Sequence, residues 1–156
     1  MSDETIKAAL PELLGATPDN YAGDVSPQEA WNTLSKNADA VLVDVRTLPE
    51  WNFVGVSDLT SIAKEPVFEE WQCYPTMKVN ENFVMDISAK IGSKNAPVLF
   101  LCRSGARSKA AAIAVTAQGF LHAYNISGGF EGDLDETRHR GNRNGWKATG
   151  LPWKQG

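Results

Sequence analysis

Two unbroken apolar runs stand out from an otherwise mixed chain: Ala40-Val41-Leu42-Val43, continuing into Asp44-Val45-Arg46, and Val98-Leu99-Phe100-Leu101. Short apolar runs rich in β-branched residues read as strands covered on both faces, unlike the strict alternation of a half-exposed strand. Polar or charged residues follow each run at its carboxyl end. Ala123-Tyr124-Asn125-Ile126 reads as the last strand, and Gly128-Gly129 as the turn after it. Helical patterns lie between the strands. Ser26-Pro27-Gln28-Glu29 carries a capping box with proline at the first helical position, so a helix is predicted from Pro27 to about Lys36, with Ala30, Trp31 and Leu34 on its core face. Pro49 to Phe53 reads as a short helical turn. Asn80 is placed to cap a helix from Glu81 to Ile91 that Gly92 closes. The alanine-rich stretch from Ser108 to Gln118 reads as a helix that stops at Gly119.

Other stretches give weaker patterns. From Ser57 to Met77 two readings stay open, an edge strand over Phe68–Gln72 or a long loop over a site. Phe130 to about Thr137 reads as helical. Ile6, Ala9, Leu10, Leu13 and Leu14 give residues 1–22 a weak helical pattern, an amphipathic leader ahead of a domain spanning residues 23–137. The tail, 138–156, is rich in Gly, Asn and Arg but carries Trp146, Leu151 and Trp153, so it is expected to lie back on the domain. Strands alternating with helices across short turns imply an α/β fold with a parallel sheet covered on both faces.

Composition narrows the setting. The chain has 156 residues, 42% hydrophobic and 22% charged, which suits one soluble globular domain. Its start is polar and mixed in sign, without the basic and apolar regions of a secretory signal, and no run is long enough to span a membrane, so a cytoplasmic location is expected. Two cysteines, Cys73 and Cys102, are too few for a disulfide framework and fit a reducing compartment. Residues 1–97 carry a formal charge of −8 and residues 98–156 one of +4. That asymmetry favours small anions near the second part of the chain, while its basic density falls well short of a nucleic-acid footprint.

The candidate chemistry sits in that basic part. Cys102 follows the second apolar run, and Arg103-Ser104-Gly105-Ala106-Arg107-Ser108 leads from it into a helix. Such a thiol lies among unpaired main-chain N–H groups at the positive pole of the helix dipole, beside two arginines. These surroundings favour the thiolate, so Cys102 is expected to be anionic at neutral pH and reactive, rather than one more buried apolar side chain. Gly105 is read as meeting a need for positive φ or close ligand approach. Cys73 is either a resolving thiol or a packed side chain. His122 reads as core or strand edge and His139 as solvated, and neither has a spacing to the cysteines that suggests a metal site. No glycine-rich nucleotide fingerprint is present, so no cofactor is expected.

Several markers, in order, resemble a rhodanese domain of the single-domain bacterial sulfurtransferase type: Asp44-Val45-Arg46 with Glu50-Trp51 soon after, Cys102-Arg103-Ser104-Gly105-Ala106-Arg107-Ser108, Gly119-Phe120, and Tyr124-Asn125-Ile126-Ser127-Gly128-Gly129. The resemblance covers roughly residues 23–136. It implies a rhodanese-like sheet of about five parallel strands with helices on both faces, and sulfane sulfur carried as a persulfide on Cys102. The amides of residues 103–108 would then stabilise that persulfide, and Arg103 would hold the oxygens of a small anionic donor such as thiosulfate. Arg107 would do the same, or tie the loop to a carboxylate such as Asp44; Asp44 and Arg46 read as scaffold. The acceptor would be cyanide, a small thiol or a protein thiol. A sulfur-relay or redox-sensing module would need the same loop. A cysteine-dependent phosphatase or an arsenate reductase is a weaker fit, because four residues rather than five separate Cys102 from Arg107, a loop that suits one sulfur atom better than a phosphoryl group. The two tail indoles could wall the mouth of this loop or simply pack in the core.

Overall fold

Alternate residues of an apolar strand point to opposite faces, and in a computed structural model, which describes residues 20–155, both faces of the central strands are buried. The elements run β1 (Gly23–Val25), α1 (Pro27–Lys36), β2 (Val41–Asp44), α2 (Leu48–Phe53), β3 (Val56–Ser57), a 3-10 turn (Thr60–Ile62), β4 (Val67–Phe68), β5 (Gln72–Cys73) and β6 (Lys78–Val79). They continue with α3 (Phe83–Ile91), β7 (Val98–Leu101), α4 (Ala106–Ala117), β8 (Ala123–Ile126), α5 (Trp146–Thr149) and β9 (Trp153–Lys154). Five strands form one parallel sheet in the order β1-β8-β7-β2-β4. On one face Val43, Val98 and Phe100 meet Phe83 and Ile87 of α3 and Ala111, Ala112 and Val115 of α4. On the other, Leu42, Leu99 and Leu101 meet Ala30 and Leu34 of α1 together with Trp146 and Leu151. This is the expected α/β fold, a five-stranded parallel sheet between helices.

Local chemistry sets the element ends. Ser26 and Glu29 form the reciprocal capping box at the start of α1, with Oγ and Oε1 accepting at 3.0 and 2.7 Å. Gly92 closes α3 in the left-handed conformation. Helix α3 starts at Phe83, later than expected, because the Asn80 side chain accepts from the Asn82 N–H at 3.0 Å and makes a turn of its own. Helix α4 starts at Ala106, ahead of the expected Ser108. In the stretch from Ser57 to Met77 an edge strand is present, but at Val67–Phe68 instead of Phe68–Gln72, and in place of a plain long loop Gln72–Cys73 pairs with Lys78–Val79 as a hairpin.

The expected helix over 130–137 is absent. Gly128, Gly129 and Gly132 all have positive φ, and Asp135 Oδ1 accepts from the Thr137 and His139 amides at 2.9 Å each, giving those donors a turn in place of a helix. The tail closes on the domain: Trp146 is fully buried, its Nε1 donates to Pro152 O at 2.7 Å, and β9 pairs with β3. The leader pattern of residues 6–14 lies outside the described residues. No helix among the described residues is long and apolar enough to cross a membrane.

Candidate active site

Strand β7 ends at Leu101, and Cys102 follows at the carboxyl edge of the sheet, where open α/β folds place their ligands. The turn that comes next is fixed from behind by the segment after β8. Phe130 N–H donates to Cys102 O at 2.8 Å, and the Glu131 and Gly132 amides donate to Arg103 O at 3.0 and 3.1 Å. Gly129 makes this approach possible, since a Cβ there would collide with the carbonyl of Cys102 and the backbone of Arg103. Gly105 takes φ +125, while a Cβ there would meet nothing closer than 3.8 Å. Its requirement is therefore conformational, not one of space.

This backbone brings donors to the sulfur. Gly105 N–H donates to Cys102 Sγ at 3.1 Å, and Ser108 Oγ lies 3.1 Å from the same atom. Lys109 N–H is the first to bond within α4, to Gly105 O, so the amides of Ala106, Arg107 and Ser108 precede the helical ladder and lend their partial positive charge to this end. Cys102 is 1% exposed, yet it forms part of the wall of a cavity of about 700 Å³. Arg103, Ser104, Ala106 and Arg107 share that wall. Gly105 and Ser108 do not, and they reach the sulfur from beneath.

Arg107 holds a carboxylate, and it is not Asp44. Its Nη1 and Nη2 donate to Glu50 Oε1 and Oε2 at 2.8 and 2.9 Å, the forked geometry of a strong charged pair. Glu50 also accepts from Thr47 N and Oγ1. Burial pushes the Glu50 carboxyl up, but the Arg107 fork and the Thr47 donors outweigh it and hold the group at about 2. Burial likewise pulls Arg107 down, and the hydrogen bonds and charge of Glu50, with Cys102 and Asp44 nearby, raise it. Asp44 instead takes buried Arg46 at 2.7 Å, and Arg46 stacks over Phe130 and donates to Gly55 O. Both belong to the scaffold under the loop.

The rest of the cavity was only partly foreseeable. Tyr74 and Met77, from the hairpin of β5 and β6, form an exposed lip beside half-buried Pro49 and Val54, and Arg140 and Glu131 come from the segment after β8. Neither tail indole lines the cavity: Trp146 packs edge-on against Trp31 in the core, and Trp153 stands against Phe130. Cys73 is absent from the wall although its neighbours Gln72 and Tyr74 are present, as strand alternation dictates. Among the described residues no carboxylate pairs with Arg103 or Arg140, and no group of three or more His, Cys, Asp or Glu is placed to hold a metal ion. Asn125 and Asp24, which continue the contacts of Ser108 away from the cavity, were missed; the polar Asn125 inside an apolar strand was the available signal.

Comparison with known proteins agrees with this architecture. The chain is 50% identical to Rv0390 from M. tuberculosis, whose crystal structure superposes with a TM-score of 0.81 over 88% of this chain and all of that one. It is 38% identical over 131 residues to the uncharacterized protein RC0915 of Rickettsia conorii, covering 84% of this chain and 96% of that protein. It is 28% identical over 112 residues to the thiosulfate sulfurtransferase GlpE of Glaesserella parasuis, covering 70% of this chain and 83% of that protein. The family described as the STR4 middle domain matches residues 22–156. The chain thus belongs to the STR4 middle-domain family and carries a rhodanese-like domain.

Proposed function

We propose that this protein is a sulfurtransferase that carries sulfane sulfur on Cys102, taking it from a small anionic donor such as thiosulfate. The Cys102 thiolate attacks the outer sulfur of the donor. A sulfur–sulfur bond forms to Sγ, the donor's own sulfur–sulfur bond breaks, and the electron pair leaves on sulfite. The negative charge of Cys102–S–S⁻ then lies on the outer sulfur, within reach of the first-turn amides of α4, the electrostatic logic of an oxyanion hole. A nucleophilic acceptor removes that sulfur and returns the thiolate.

The observation that carries this reading is the commitment of Arg107 to Glu50 at 2.8 and 2.9 Å while Gly105 N–H meets the sulfur. A phosphatase or arsenate reductase needs its arginine fork free for a tetrahedral anion, and here the fork is occupied. Arg103, exposed at the cavity and without a carboxylate partner among the described residues, is the donor's contact, with Arg140 across the opening. GlpE is named a thiosulfate sulfurtransferase, which supports the choice of donor. A second reading, a relay that passes sulfur to a partner, is favoured by the cavity itself: about 700 Å³ with an apolar lip of Tyr74 and Met77 suits an acceptor much larger than cyanide.

The test is thiosulfate:cyanide sulfurtransferase assay of the wild type beside Cys102→Ser. Turnover in the wild type and none in the variant is expected. Turnover that persists in Cys102→Ser, or aryl phosphate hydrolysis that matches the sulfur transfer, would overturn the proposal.

A further inference from the structure

Behind the sulfur a file of hydrogen bonds leaves the loop and crosses the sheet to its edge. Ser108 Oγ lies 3.1 Å from Cys102 Sγ and 2.6 Å from Asn125 Oδ1, and Asn125 Nδ2 donates to Asp24 Oδ1 at 3.0 Å. Tyr21 OH donates to the same Asp24 oxygen at 2.7 Å. Asp24 and Asn125 are register partners on β1 and β8. Cys102, Ser108 and Asn125 are 1%, 0% and 5% exposed, whereas Asp24 lies at the surface.

The direction of each bond in this file is set by its outer end. A carboxylate can only accept, so Asn125 must turn its Nδ2 to Asp24 and its Oδ1 to Ser108. That oxygen can also only accept, and at 2.6 Å it is far closer to Ser108 Oγ than Gly105 O at 3.2 Å, so the single hydroxyl hydrogen of Ser108 goes to Asn125. Toward Sγ, Ser108 is left with lone pairs. Ser108 therefore adds no donor to the one that Gly105 N–H already gives the sulfur.

We propose that Asp24 and Asn125 are positioning residues that hold the Ser108 hydrogen away from Sγ, so that the inner sulfur is less stabilised as an anion than it would be with that hydrogen turned to it, which tilts the balance toward charge on the outer sulfur of a persulfide. The second half of this inference rests on the sulfur-carrier reading. In Cys102–S–S⁻ the inner sulfur is neutral and faces Ser108, and the charge sits one bond further into the cavity. Counted from the thiol, loss of its proton and attack by the resulting thiolate balance together as Cys102–SH and S–SO₃²⁻ giving Cys102–S–S⁻ and HSO₃⁻, with the proton ending on sulfite. Removing Asp24 frees the Asn125 amide to rotate and donate to Ser108 Oγ, which releases the hydroxyl hydrogen to the sulfur at 3.1 Å, an anion that outcompetes the neutral Gly105 O at 3.2 Å once the thiol ionises.

The charged groups around the sulfur are Arg107 with its partner Glu50, Asp44, and Arg103 next in the chain, with Lys109 near Tyr21 at the far end of the file. All are retained in the variants. The experiment follows iodoacetamide alkylation of the Cys102 peptide against pH in Asp24→Ala, Asn125→Ala, Ser108→Ala and the double variant Asp24→Ala/Ser108→Ala. The expected result is a midpoint lower by about one pH unit in Asp24→Ala and in Asn125→Ala, the scale of one hydrogen bond gained by a charged group. In the Ser108→Ala background the Asp24 change should have no effect. At a pH above both midpoints, the persulfide fraction left at equilibrium with excess sulfite should fall roughly tenfold in Asp24→Ala. An unchanged or raised midpoint in the single variants, or the same shift without Ser108, would overturn the proposal. If the sulfur-carrier reading alone is wrong, the wild type gains no sulfur from thiosulfate while the alkylation shift remains.

Discussion

Glu50 holds the cysteine loop in place from another element. It stands on α2, fifty-two residues before the cysteine, and its carboxylate takes both ends of the Arg107 fork. Because the folded carboxyl sits at about 2, below its ordinary 4.5, the bond contributes fully above about pH 4.5 and is lost as pH falls toward 2. Glu50→Gln should therefore cost about 1–3 kcal/mol at neutral pH, and urea denaturation should show the gap to wild type closing across that acid range. Gly105 makes a second residue-scale case. With φ at +125, Gly105→Ala should cost about 1–3 kcal/mol and lower sulfur transfer by displacing the amide that meets Sγ. The cysteine, the arginines and this glycine were legible in sequence because each follows from local backbone geometry. Glu50 as the partner of Arg107 was not, since nothing local marks a contact between residues 50 and 107, and Asp44, the carboxylate at the end of the neighbouring strand, is taken by Arg46.

At the scale of elements, strands covered on both faces announced themselves, and so did helices with their caps, because period and capping chemistry are local signals. What failed was set by distant partners. Residues 130–137 looked helical, yet three glycines and the pull of the Cys102 and Arg103 carbonyls hold the chain in turns that brace the loop. The hairpin of β5 and β6 has only two pairs of residues, too few for a periodic signal. Trp146 shows how the tail joins the fold: its ring is buried against Trp31 beside Leu34 and Leu42. Trp146→Ala should lower stability by about 3–5 kcal/mol in thermal or chemical denaturation, and a loss under 1 kcal/mol would contradict a core role.

Across the whole molecule, the sheet places its carboxyl edge, the start of α4 and the basic second part of the chain around one cavity. The formal charge of +4 over residues 98–156 becomes local there as Arg103, Arg107 and Arg140. With Arg107 committed to Glu50, the proposed function leaves attraction of an anionic donor to the other two. Arg103→Ala should raise the KM for thiosulfate roughly tenfold with a smaller change in kcat, and the wild-type KM should rise with ionic strength as those charges are screened. The central claim, that this arrangement lets Cys102 carry sulfur, is tested most directly by intact mass after incubation with thiosulfate. The wild type should gain one sulfur atom, lost again on adding cyanide or a thiol, and Cys102→Ser should gain none. A wild type that gains no sulfur, or a serine variant that gains it equally, would contradict the account.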